Sequence, residues 1–158
     1  MKYAFYPLFL FFFVFLALSS CKKDEPQISD YIVFGHFYGM CVGEDCVEIF
    51  KVQDGILYED DKDVYPGSDK PYEGNFNKIP DAKYQKVKNL RMEVPSELTK
   101  ENEVVIGMPD AGDWGGIYLE IMEGSEKRFW LIDKMEYNLP DYLKPFVAKV
   151  NDAIEAVK

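Results

Sequence analysis

The side chains that could perform catalysis are few in this chain of 158 residues. It contains one histidine, His36, and three cysteines, against 28 acidic residues. Nucleophilic catalysis with a histidine base would have to be built around His36, within a segment that has the pattern of a β-strand. No glycine-rich motif followed by lysine and serine or threonine is present to hold a phosphate. Paired carboxylates could hydrolyse a glycosidic bond, but nothing singles out two of them. The sequence therefore favours a noncatalytic protein, with a carboxylate-based hydrolase as the alternative.

Two groups of residues have side chains suited to a metal ion. His36, Met40, Cys41 and Cys46 combine imidazole, thioether and thiolate, which suit Cu(I). The acidic run at 59–63 offers oxygen ligands for Ca²⁺, but it lacks the ligand spacing of an EF-hand. Ordinary packing beside a disulfide and a solvated acidic loop are the simpler interpretations. We therefore expect no metal and no cofactor, and keep a metal-handling envelope protein as a further alternative.

The segment 110–116 has the composition of a binding loop. Asp110 and Asp113 offer acceptors for sugar hydroxyls, Trp114 offers a ring for stacking, and three glycines permit close approach of a ligand. Such a loop would suit a glycan or protein partner at a cell surface. In the competing interpretation, Trp114 folds back to fill the end of a sheet and the glycines serve the turn. This second interpretation is the favoured one.

The N-terminal segment has the composition of an export signal. Lys2 precedes an uncharged and almost wholly apolar run at 3–18. The quartet Leu18-Ser19-Ser20-Cys21 follows, and it resembles the lipobox of bacterial lipoproteins. The resemblance implies cleavage before Cys21 and attachment of lipid, including palmitate, to that cysteine. An uncleaved membrane anchor is the alternative, which Pro7 disfavours because it interrupts the apolar run.

A short charged cluster follows the cysteine. Lys22-Lys23-Asp24-Glu25-Pro26 resembles the signal that directs Bacteroidota lipoproteins to the cell surface, so the resemblance implies a surface-exposed outer-membrane protein. A solvated tether on a periplasm-facing lipoprotein is the alternative. The chain is thus divided into a signal peptide at 1–20, a lipidated tether at 21–30 and a single domain at 31–158.

Two cysteines remain once Cys21 is acylated. An even pair in an exported protein predicts a disulfide between Cys41 and Cys46, which would close the loop between the first two strands. Thiol redox chemistry is the alternative, but the spacing is C-x4-C rather than C-x-x-C, and no helix obviously follows to lower a thiol pKa.

The hydrophobic pattern predicts an α+β fold. Strands at 31–38, 47–53 and 56–58 should form an antiparallel meander, because Asp54-Gly55 is a strong turn signal. Segments 117–122 and 127–133 form the clearest hairpin, and its second strand should be central because it is apolar on both faces. Weaker strand signals lie at 72–76 and 103–107.

Two helices should cover this sheet. A shorter middle helix begins at Pro80-Asp81, and a C-terminal amphipathic helix follows an apolar stripe from Leu139, with Pro140 near its first position. Pro145 is expected to kink or restart it. We therefore expect a mostly antiparallel sheet of five to six strands packed against these helices.

The net charge bounds the partners. It is −10 for the whole chain, and removing Lys2 with the leader would make it −11. Such a charge repels nucleic acid and anionic lipid headgroups. The expected partners are the membrane, reached through the N-terminal lipid, and an unidentified glycan or protein of the envelope.

Overall fold

The structure is a computed structural model that describes Met1 and residues 29–158. The expected signal peptide after Met1, the cysteine expected to carry lipid, and most of the expected tether lie outside the described residues. Strands and α-helices of the described chain follow one another as β1 (Tyr31–Phe37), β2 (Val47–Gln53), β3 (Ile56–Asp60), β4 (Phe76–Lys78), α1 (Asp81–Val87), β5 (Val105–Ile106), β6 (Gly116–Glu123), β7 (Glu126–Asp133) and α2 (Lys144–Val157). Short 3-10 helices occupy Glu44–Cys46, Leu90–Glu93, Leu98–Lys100 and Glu136–Asn138.

The described strands form one sheet in the order β4-β3-β2-β1-β6-β7-β5. Every pairing is antiparallel except that of β5 with β7, which is parallel. The α+β class is confirmed, but the sheet has seven strands where five to six were expected. The difference comes from the edges. There, the two-residue β5 lies within the expected segment 103–107, the three-residue β4 starts at the end of the expected segment 72–76, and both pair with the sheet.

The first strand is the centre of the sheet. β1 pairs with β2 on one side and with β6 on the other, so that Tyr31 lies opposite both Gln53 and Met122. All seven of its residues are buried, as expected for a strand covered on both faces. The prediction that β7 is central was wrong. It lies one place from the edge, and the short β5 covers it.

One face of the sheet carries the larger core, beneath the helices. α2 begins at Lys144 rather than near Pro140, because residues 140–143 form a turn and Pro145 takes the first helical turn, where its missing N–H costs nothing. The helix turns its apolar stripe toward the sheet, and its buried residues are Phe146, Val147, Val150, Ala153, Ile154 and Val157. Leu139 and Leu143 precede the helix and extend the same core.

The opposite face holds a smaller, aromatic core around a buried carboxylate. Glu120 is 2% exposed and accepts hydrogen bonds from the hydroxyls of Tyr31 at 2.7 Å and Tyr118 at 2.5 Å. The Lys127 ammonium lies 3.5 Å from the same carboxylate. These partners satisfy a group whose unpaired burial would cost several kcal/mol. Burial and the neighbouring carboxylate raise the pKa values of both tyrosines.

The two ends of the sheet differ in what they carry. At one end the chain enters β1 through Ser29 and Asp30, beside the tight turns that join β2 to β3 and β6 to β7. At the other end lie the longer connections, residues 38–46, 61–75, 107–115 and 134–138, which we call the loop face. No helix within the described part of the chain is long and apolar enough to cross a membrane.

Candidate binding site at the loop end of the sheet

Three aspartates organise the loop face. Asp60 ends β3, Asp133 ends β7, and Asp110 lies in the loop that leads into β6. Each carboxylate accepts hydrogen bonds from backbone N–H groups of one or more loops. Such charge-assisted bonds are stronger than neutral ones and hold irregular backbone in one conformation. The loop face is therefore a structured surface.

Asp60 holds the connection between β3 and β4. Its side chain is 4% exposed. One carboxylate oxygen accepts the N–H groups of Lys62 and Asp63 at 3.2 Å and the hydroxyl of Tyr72 at 2.5 Å, and the other accepts the N–H of Asn75. These bonds close the long loop back onto the strand. They also engage both carboxylate oxygens of Asp60, one of the candidate Ca²⁺ ligands.

Asp133 fastens the two loops beside β7. It is 1% exposed and accepts the N–H groups of Met108 at 2.9 Å and Met135 at 2.8 Å. The side-chain amide of Asn138 donates a third hydrogen bond at 2.7 Å. One carboxylate thereby joins the loop that follows β5 to the loop that follows β7.

Asp110 joins three loops. Its Oδ2 accepts the N–H of Gly39 at 2.7 Å and the hydroxyl of Tyr65 at 3.1 Å, while Oδ1 accepts the N–H of Gly115 at 3.0 Å. Burial and the hydrogen bond to this carboxylate raise the pKa of Tyr65 to about 12. The proposed acceptor for a sugar hydroxyl is thus already engaged within the protein, so it positions the loop.

Trp114 lies at the tip of this loop and is 54% exposed. The favoured expectation that it fills the sheet end was therefore wrong. Gly115 explains why: its φ of +74° turns the chain, and its Cα approaches the ring of Tyr38 so closely that an added Cβ would lie 2.3 Å from it. Tyr38 lies at the end of β1 instead, and the Lys134 ammonium lies over its ring and donates a hydrogen bond to its hydroxyl. Asp113, which precedes Trp114 in the chain, is also exposed.

The loop face also exposes apolar side chains that the sequence did not single out. Seven large hydrophobic residues in its four loops are exposed: Met40, Val42, Val64, Tyr65, Met108, Trp114 and Tyr137. Elsewhere in residues 29–158 only Met92 and Val105 are comparably exposed. No local pattern identifies such a set, because an exposed methionine and a buried one look alike in sequence. Only the strand order brings them to one end.

The cysteine pair is bonded, as predicted. Cys41 and Cys46 form a disulfide that closes the first loop of this face, with their Cα atoms 5.5 Å apart. Their thiolates are thus unavailable to Cu(I). His36 is 4% exposed, and its Nε2 lies 3.2 Å from the carbonyl oxygen of Asp45. Burial lowers the pKa of the imidazole. Three of the four candidate copper ligands are therefore engaged in structural contacts, whereas the fourth, Met40, is exposed.

An acidic cleft of about 370 Å³ lies beside the loop face. Its carboxylates come from Glu44, Asp45, Glu48, Glu59, Asp60, Asp61 and Asp63. Burial, reinforced by Glu59 and Asp45, raises the pKa of Glu48 to about 7. Asp61 is bound by the amides of Asn75 and Asn77 at 2.6 and 2.7 Å. Among the residues that the structure describes, no three histidine, cysteine or acidic side chains are arranged to hold a metal ion.

Comparison with known proteins adds no further assignment. A scan against protein-family models finds none that matches the chain, and a search of curated proteins finds no match.

Proposed function

We propose that this chain is a lipid-anchored, noncatalytic binding module of the bacterial cell envelope, held in the outer membrane through Cys21 and directed to the cell surface. The observation that carries the proposal is that the chain enters the domain at the end of the sheet opposite the loop face. The chain enters β1 at Tyr31, whereas Trp114 and the other exposed apolar side chains of the loop face lie at the far end of the same sheet. An anchored domain built in this way presents the exposed apolar side chains of its loop face away from the membrane.

The exposed patch itself supports binding. Monomeric domains seldom leave several large apolar side chains together in solvent, and patches rimmed by polar residues mark interaction sites. Here the loops that expose the apolar residues also expose acidic ones, and these loops are fixed by Asp60, Asp110 and Asp133. A surface fixed in advance loses less conformational entropy when a partner binds.

The anchor rests on Leu18-Ser19-Ser20-Cys21, and metabolic labelling tests it. We expect radiolabelled palmitate to be incorporated into the full-length protein and not into a Cys21→Ala variant, with the wild type in the outer-membrane fraction. A Ser29→Ala variant serves as the control because it leaves the lipobox intact. Labelling of the Cys21→Ala variant, or none of the wild type, would contradict lipid attachment at this residue.

Surface display rests on the charged cluster at 22–25. Protease added to intact cells should degrade the wild-type domain. Replacement of Lys22, Lys23, Asp24 and Glu25 by alanine should protect the domain from protease while leaving palmitate labelling unchanged. Equal protection of both proteins would place the domain on the periplasmic side instead.

A second candidate function is favoured by the acidic cleft. The pKa of about 7 at Glu48 leaves that carboxyl partly protonated at neutral pH, as a general acid requires, beside other carboxylates such as Glu59. We would screen hydrolysis of chromogenic glycosides by the wild type, the Glu48→Gln variant and a Glu103→Gln control outside the cleft. Activity that is lost in Glu48→Gln and kept in Glu103→Gln would show that the protein is a hydrolase and not a noncatalytic binding module.

A further inference from the structure

The charge of the loop face is strongly one-sided. Its four loops contain three lysines, Lys62, Lys70 and Lys134, and nine acidic residues: Glu44, Asp45, Asp61, Asp63, Asp69, Glu73, Asp110, Asp113 and Glu136. All but Asp110 of the nine are exposed. The surface around the apolar patch therefore carries an excess of negative charge.

The three lysines do little to neutralise the nine acidic residues. Lys62 donates to the backbone carbonyl of Glu73 at 2.7 Å, and Lys70 lies 3.2 Å from the Glu73 carboxylate. Lys134 lies over the ring of Tyr38. Within residues 29–158, Glu73 is thus the single acidic member of the loop face that forms an ion pair. The remaining carboxylates leave a negative potential that salt bridges do not cancel.

Aromatic and thioether side chains lie within this negative field. Asp113 precedes Trp114 in the sequence, and the hydroxyl of Tyr65 donates a hydrogen bond to the Asp110 carboxylate. The face of an indole or phenol ring attracts a guanidinium or ammonium group, and exposed methionines adapt to varied apolar surfaces. Carboxylates beside such rings favour the same cations. The apolar patch and its charge thus select one kind of partner.

We infer that the loop face binds a basic polypeptide segment of a partner protein, whose arginine and lysine side chains lie against Trp114 and Tyr65 and pair with the surrounding carboxylates while its apolar side chains cover Met40 and Met108. The inference rests on the proposed binding function and names its partner class. A neutral glycan would bring no positive charge to pair with the carboxylates of the loop face, and nucleic acid or anionic lipid would be repelled.

A random peptide library provides a test that does not presuppose the partner. Phage displaying peptides of about 12 residues would be selected on the full-length protein in detergent. We expect the recovered peptides to carry a net positive charge, to contain arginine beside apolar residues, and to bind with an affinity that falls about tenfold when NaCl is raised from about 50 to about 300 mM. A glycan array tested with the same protein should show no binding.

Variants locate the site on the loop face. For a synthesised selected peptide, Trp114→Ala and the charge variant Asp113→Asn/Glu136→Gln should each weaken binding about tenfold, as loss of a central aromatic contact or of charge complementarity does. The control Met92→Ala/Asp152→Asn alters one exposed apolar and one exposed acidic residue elsewhere and should leave binding unchanged. Thermal melting of each variant checks that it is folded.

Several outcomes would overturn the inference. These are failure to recover any peptide, recovery of neutral or acidic peptides, binding that both loop-face variants retain, or glycan binding in place of peptide binding. Palmitate labelling at Cys21 reports on the anchor independently. A labelled protein that binds glycans instead would leave an anchored binding module with a different ligand, whereas an unlabelled protein would contradict the anchor whatever the peptides show.

Discussion

Single carboxylates decide the form of the loop face. Asp60, Asp110 and Asp133 each accept several hydrogen bonds from groups in surrounding loops, and two of the three are almost fully buried. The sequence offers 28 acidic residues, and nothing local distinguishes these three. Asp110, one of the candidate ligand contacts in the sequence, accepts hydrogen bonds that hold the loop on which Trp114 is exposed.

Asp110→Asn tests this positioning role. Asparagine also tolerates the φ of +60° at this position, but its amide nitrogen cannot accept the hydrogen bonds that one carboxylate oxygen now receives from Gly39 and Tyr65. We expect a loss of about 1–3 kcal/mol in the free energy of unfolding, measured by urea denaturation.

The control for this measurement is Asp113→Asn, at the neighbouring exposed aspartate with a φ of +66°. It should change stability by less than about 0.5 kcal/mol. Equal losses in the two variants would show that Asp110 has no special role.

Glu48 predicts a pH dependence of stability. Its pKa in the folded protein is raised from 4.5 to about 7 by burial and by neighbouring carboxylates. Well below pH 4.5 the group is protonated in both the folded and unfolded states and contributes nothing. As the pH rises toward 7, the unfolded chain releases this proton more readily, so ionisation destabilises the fold.

Glu48→Gln should therefore be more stable than the wild type at pH 8, by about 1 kcal/mol after allowance for solvent screening, and the difference should vanish below about pH 4.5. Thermal melting across this range checks the prediction. Glu103→Gln, at an exposed position outside the cleft, should show no such trend, and a constant difference at all pH values would contradict it.

Among the elements, β1 depends on one residue without a side chain. A Cβ on Gly35 would lie 2.1 Å from the carbonyl oxygen of Glu48 and 2.7 Å from the Cα of Ile49, both backbone atoms of β2. Neither can move without separating the two strands. We expect Gly35→Ala to destabilise the domain by more than about 3 kcal/mol, measured by chemical denaturation.

Gly67→Ala is the matched control. There an added Cβ would approach only the end of the flexible Asp69 side chain, so a small change in stability is expected. A Gly35→Ala variant as stable as this control would mean that β1 and β2 can separate at little cost.

The disulfide constrains the first loop of the loop face. Replacing Cys41 and Cys46 together by serine should lower the free energy of unfolding by about 2 kcal/mol, since the closed loop is short and the stabilisation grows with the logarithm of its length. Urea denaturation of the oxidised wild type and the double variant gives this difference. Reduction of the wild type should produce the same loss, and a reduced protein as stable as the oxidised one would contradict it.

The elements also show how far the sequence could be followed. The meander of β1 to β3 and the hairpin of β6 and β7 were predicted correctly, because alternating apolar residues and the Asp54-Gly55 turn are local signals. Of the short edge strands, β5 lies within the predicted segment 103–107, whereas β4 begins only at the last residue of the predicted segment 72–76. The helix α2 begins beside Pro145, where a restart was expected, and not near Pro140. The exposed residues of the loop face could not be predicted, since their proximity depends on strand order.

At the scale of the whole molecule, the entry of the described chain and the loop face lie at opposite ends of one strand. β1 starts at Tyr31, directly after Ser29 and Asp30, and ends at Phe37, whose ring packs against Tyr65 of the loop face at 4.9 Å between centroids. A partner held at the loop face and a lipid held in the membrane would pull the domain along the direction of this strand.

That geometry has a mechanical consequence. β1 is hydrogen-bonded along its whole length to β2 and β6, and antiparallel ladder bonds run perpendicular to the strands. A pull along the strand loads these bonds in shear, so that many must break together. A pull across the sheet would open them one after another. We expect the domain to withstand higher force in single-molecule stretching between residue 29 and the loop face than between β4 and β5. Equal rupture forces would show that the hydrogen bonds of β1 do not resist the pull. The expected difference would mean that this fold can bear tension between the cell and a partner bound at the loop face.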